Sequence, residues 1–84
     1  MSFLDQVGKD GFSITPSDTV ALEQTADAIY VGSAGDVAIQ TSSGSNLIFS
    51  GAQAGSVLPI RANYVYATGT TASSLVAITY TKVR

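Results

Sequence analysis

Short alternating runs of apolar and polar residues, each closed by a cluster of Gly, Ser, Thr or Pro, cut the chain into pieces of strand length. Residues 11–15 read as a first strand, and Pro16-Ser17-Asp18 turns the chain while biasing Thr15 to extended geometry. Residues 19–22 predict a second strand. Residues 23–27 read equally as a loop or as one helical turn. Residues 28–31 predict a strand ended by Gly32-Ser33-Ala34-Gly35-Asp36. Further on, Val37, Ile39 and Thr41 fall on one face of a strand, with Ala38 and Gln40 on the other. A turn at residues 42–46 and a return over 47–50 make these two runs a predicted hairpin. Pro59 removes a ladder donor from residues 56–61, so that run lies at an edge or is broken there. Residues 64–68 predict the next strand and 75–83 the last. In the last one Val76, Ile78 and Tyr80 share a face, and Leu75, Ala77, Thr79 and Thr81 share the other. Both faces are apolar enough for a strand covered on two sides.

The pattern predicts an all-β chain: a small antiparallel β-sandwich or β-barrel with a short N-terminal arm. Residues 12–84 form a single β domain in this reading, and residues 1–11 a docking arm. Ser2-Phe3-Leu4-Asp5 has a weak helix-start signature, which would put Phe3, Leu4 and Val7 on one side of a single turn. Gly8-Lys9-Asp10-Gly11 reads as a hinge. Phe3, Leu4, Val7 and Phe12 are the candidate anchors, each contributing about 1.5–3 kcal/mol if fully buried.

Length makes docking attractive. An 84-residue chain buries only roughly 60–65% of its unfolded surface, so its stability alone should be marginal. Small scaffolds compensate with disulfides, metals or oligomerisation. With no Cys and no His, the first is excluded and a zinc site disfavoured, which leaves association with other chains. Charged residues make up 12% of the chain, against about 25% in ordinary domains. Its surface must then be largely Ser, Thr, Gly, Ala and amides, which suits either lasting contact with protein or a neutral extracellular domain. A net charge of −2 with no Lys/Arg cluster argues against nucleic acid and against a polybasic membrane patch. No apolar run approaches the roughly 20 residues of a membrane span.

Little in the chain points to catalysis or to a cofactor. A Ser or Thr nucleophile has no His for a base, and a Ser–Lys pair could use only Lys9 or Lys82, both near the chain ends. The carboxylates sit beside turn or terminal residues, where capping and solvation explain them. Gly32 to Asp36 lacks the lysine of a phosphate loop and the alternating carboxylates of a calcium loop. The chain therefore reads as a non-enzyme. Tyr30, Tyr64, Tyr66 and Tyr80 could stack on sugars, but at period 2 such residues more often pack inside or at a subunit contact. Tyr64 and Tyr66 join the candidate partner-binding set on that ground, and a carbohydrate- or receptor-binding module is the alternative reading.

Four segments carry a resemblance: Ile14-Thr15-Pro16-Ser17-Asp18; Ala28-Ile29-Tyr30-Val31-Gly32 with Gly35-Asp36-Val37; Gly55-Ser56-Val57-Leu58-Pro59-Ile60-Arg61; and Ala67-Thr68-Gly69-Thr70-Thr71-Ala72. In this order and spacing, from residue 14 to about 78, the chain resembles the spike-base proteins of gene transfer agents and related tailed-phage head proteins. The resemblance implies a structural virion protein on the capsid surface, acting as decoration or cement protein or as the base of a head spike or fibre. Implied partners are the major capsid protein, further copies in a trimer or pentamer, and a spike or fibre protein. The opening Met1-Ser2-Phe3-Leu4-Asp5 lacks the basic and apolar regions of a signal peptide, so synthesis in a bacterial host cytoplasm is the expectation.

Overall fold

A computed structural model describes residues 8–80. Its seven strands are β1 (Gly8–Ser13), β2 (Ala28–Tyr30), β3 (Gly35–Thr41), β4 (Asn46–Ala52), β5 (Val57–Leu58), β6 (Ala62–Val65) and β7 (Val76–Tyr80). They form two sheets, β1-β7-β2-β5 and β4-β3-β6, and every pairing is antiparallel. No helix occurs among the described residues. The all-β expectation holds, and two separate sheets favour the sandwich over the closed barrel.

The period-2 pattern explains the core. In β3, Val37 and Ile39 join Ile29 and Ala77 of the other sheet in one apolar cluster and Thr41 is buried on the same face, while Ala38 on the opposite face is buried as well, its amide held by Thr70. Ile29, Val31, Val37, Ile39, Val65 and Leu75 are the largest fully buried side chains. Ala26 and Ala62 have no exposed surface and exchange two backbone hydrogen bonds, 2.9 and 3.0 Å, which tie the approach to β2 directly to β6. A second bridge, Ser33 to Ser73, ties the exit from β2 to the approach to β7.

The predicted hairpin is β3–β4, with Ala38 opposite Ile48 and Ile39 opposite Leu47. β5 lies at a sheet edge and stops immediately before Pro59. Other boundaries differ. Residues 19–22 are not a strand, because Ser17 Oγ accepts the amides of Thr19 and Val20 at 3.2 and 3.1 Å. The hydroxyl captures donors that a ladder would need. Nor are Gly8 to Gly11 a hinge: they belong to β1, which pairs with β7 through a bulge between Gly8 and Asp10. Gly11 serves close packing, since a Cβ there would lie 2.6 Å from the Ala77 carbonyl oxygen. β6 begins at Ala62, two residues before the expected start, and ends where its chain is drawn into a threonine-rich crossing. β7 occupies the interior of its sheet, with Leu75 and Ala77 buried and Val76 and Ile78 half-buried on the opposite face.

Burial this uneven can be measured. Ile39→Ala should lower unfolding free energy by about 2–5 kcal/mol in urea titrations. Ile48→Ala, at a position 63% exposed, should change it by less than about 0.5 kcal/mol. Equal effects would contradict the assigned register.

Candidate functional site

Three of the four segments that carry the resemblance meet in space. Asp18 accepts the Thr68 amide at 2.9 Å and its hydroxyl at 2.6 Å. Thr70 Oγ1 accepts the Ala38 amide at 3.0 Å, and Thr71 Oγ1 accepts the Asp36 amide at 2.8 Å. The Asp36 carbonyl accepts the amides of Thr71 and Ala72, and its carboxylate accepts the Gly51 amide at 2.9 Å. Gly35 admits this crowding, because a Cβ there would stand 2.5 Å from the Ala72 nitrogen. These motifs form a structural clamp, in which the Thr-Gly-Thr-Thr loop is fastened to β3 and to the Pro16–Asp18 turn.

Carboxylates are accordingly engaged in structure. Asp27 pairs with Arg61 at 3.0 Å, linking the start of β2 to the approach to β6. The hydroxyl and amide of Thr68 hold the Asp18 carboxyl below its ordinary range. Among the described residues, no three Asp or Glu side chains gather where a metal ion could be held.

Two surfaces remain as candidates for binding. The first is the outer face of the three-stranded sheet. Tyr64 lies beside Gln40 in register, and Tyr64 and Tyr66 stack with centroids 5.6 Å apart and planes inclined by 23°. Tyr66 reaches over β3 to donate its hydroxyl proton to Asn46 Oδ1 on β4 at 3.0 Å, and exposed Ile48 lies on the same strand. The i, i+2 spacing of the tyrosines predicts the shared face, but nothing local predicts the reach to Asn46.

The second is a groove of about 180 Å³ between β1 and residues 20–23, lined by Phe12, Val20 and Leu22 with Ser13, Thr15 and Glu23. Phe12 and Leu22 are half-buried and packed on the core, while Val20 is 68% exposed. The wall is held firmly, with Ser17 and Leu22 donating amides to the carbonyls of Val65 and Asn63 at 2.9 and 2.8 Å. Phe12 and the tyrosine pair therefore occupy different surfaces rather than one site. Phe3, Leu4 and Val7 lie outside the described residues. Nothing in the sequence singles out Val20 and Leu22, because a strand over residues 19–22 accounts for both.

The architecture defines a small structural β domain, two antiparallel sheets whose polar side chains serve the fold itself. No protein-family model matches the chain, and no curated protein matches it. Among solved structures it is similar to a chain of the capsid of a native GTA (gene transfer agent) particle, computed with C5 symmetry. The likeness has a TM-score of 0.80 and 30% identity, and covers 94% of this chain and 92% of that one. The chain belongs to the same family as that capsid component.

Because its folded-state pKa is depressed, Asp18 contributes stability above its ordinary titration range. That contribution is lost as pH falls through the lower folded value. Acid titration followed by NMR should therefore show the Thr68 amide losing protection together with protonation of Asp18. Asp18→Asn should remove that acid transition and leave the amide signals of β3 in place.

Proposed function

We propose that this chain is a structural protein of a phage-like particle, bound to the outer surface of the capsid. The observation that carries this reading is the likeness to the GTA capsid component, at 30% identity across nearly the full length of both chains. Composition supports it, because a surface with 12% charged residues costs little to desolvate against neighbouring protein. In this reading the chain decorates or cements the shell, or forms the base of a spike or fibre. It does so as a homo-oligomer, a trimer or a pentamer, with the major capsid protein beneath it. Phe3, Leu4 and Val7 belong to the assembly contacts, and avidity over several copies makes weak single contacts durable.

Particles purified from cells expressing a tagged full-length chain should carry it at stoichiometric levels by quantitative mass spectrometry. Removal of residues 1–7, which leaves β1 intact, should lower that occupancy at least tenfold while the circular dichroism of the domain is retained. Particles devoid of the full-length chain would overturn the proposal.

The stacked tyrosines, bordered by Gln40 and Asn46, favour one second reading, a carbohydrate-binding module. Under it, glycan-array signals should be present for the wild type and drop at least tenfold in Tyr64→Ala without loss of folding.

A further inference from the structure

We propose that the free edge of β4 is a self-recognition surface, where a second copy of this chain adds its own β4 antiparallel across a two-fold axis at Ile48. Among the described residues four strands border the two sheets: β1 and β5 in one, β4 and β6 in the other. An open edge offers unpaired amides and carbonyls to another strand, and three of these four are closed. The outer carbonyls of β6 at Asn63 and Val65 accept the amides of Leu22 and Ser17, and Ala62 exchanges backbone bonds with Ala26. β1 carries Lys9 and Asp10, is bulged after Gly8, and has its Gly11 amide taken by the Asp10 carboxylate at 2.8 Å. β5 has two residues and stops before Pro59.

β4 has none of these protections. It runs for seven residues without proline or charge, and it pairs with β3 in unbroken register from Asn46 to Phe49. Thr41 donates its amide to the Ser45 carbonyl, which sets the phase of the ladder. Leu47 and Phe49 therefore bond to β3, whereas Asn46, Ile48 and Ser50 turn their amides and carbonyls outward. These outward backbone groups have no partner among the described residues. Beside them Leu47 and Ile48 are 41% and 63% exposed.

Charge and edge protection together select the occupant. No charged residue lies between Asp36 and Arg61, so two copies of a chain with net charge −2 can meet along this edge without opposing like charges. With the other described edges closed, the strand that one copy can offer another is β4 itself. A two-fold axis at Ile48 keeps the phase: Asn46 lies opposite the partner's Ser50, and Ile48 opposite its own counterpart, each pair exchanging both N–H···O bonds. Leu47 and the partner's Phe49 then oppose each other in the closer, non-hydrogen-bonded positions on the core side of the sheet. The contact joins two three-stranded sheets into one. It uses the same edge on both copies, so it stops at two instead of growing into a fibre. It goes beyond the capsid reading, because a two-fold contact cannot by itself close a ring of three or five copies.

Sedimentation velocity of the full-length chain over a concentration series should show monomer and dimer in equilibrium, with no larger species. Ile48→Lys puts like charges opposite each other on the axis and should weaken dimerisation about tenfold or more. Val57→Lys, at an exposed apolar position on β5, should leave it unchanged. Both variants should keep the circular dichroism of the wild type. In amide exchange followed by NMR, Ile48 and Ser50 should gain protection as concentration rises, and Ser13 of β1 should not. A dimer that persists in Ile48→Lys, protection that appears on another edge, or growth past two copies would each overturn the inference. A chain that stays monomeric and still loads onto particles would overturn it too while leaving the capsid reading intact. A β4 dimer that never appears on particles would do the reverse.

Discussion

Between β6 of one sheet and β7 of the other, the chain has to cross the sandwich, and it does so through residues 66–75 with threonine oxygens as partners for strand amides. Thr70 and Thr71 take the amides of Ala38 and Asp36, while Asp18 holds Thr68 from the opposite side. Because these hydroxyls take amides of β3, one of them in a part-buried bond, this crossing and the bulged start of β3 are coupled. The fully buried core is built of Ile, Val, Leu and alanines, with Phe12 and Phe49 packed against it half-buried.

Features governed by neighbours in sequence were legible before the structure. Alternation in residues 37–41 gave the buried face of β3, and Pro59 marked the end of an edge strand, because both effects act within a residue or two. Glycine is less legible. Gly11 looked like a hinge, yet its meaning depends on the Ala77 carbonyl, which no local pattern reveals. Residues 19–22 have the composition of a strand, and the Ser17 hydroxyl redirects them. The candidate surfaces divide in the same way. The tyrosine pair follows from a period of two, whereas the groove exists only because the 20–23 segment folds beside β1.

The polar residues that carry the family resemblance make the clamp. Gly35-Asp36 and Thr68-Gly69-Thr70-Thr71 are held together through shared hydrogen bonds, which accounts for a resemblance spread over distant segments. The surface that the clamp leaves free carries apolar and aromatic positions, among them Val20, Ile48 and the Tyr64–Tyr66 stack. Contacts built from such groups respond weakly to ionic strength, unlike those between exposed charges.

The interior place of β7 has a consequence for biosynthesis. β1 and β2 are not adjacent: β7 lies between them and pairs with both, and β1 pairs with no other described strand. Fifty residues separate Tyr30 from Tyr80, an interval of about 2.5–10 s on a translating ribosome. Throughout that time the four-stranded sheet cannot close. The nascent polypeptide therefore leaves β1 without its sheet neighbour until β7 has been made.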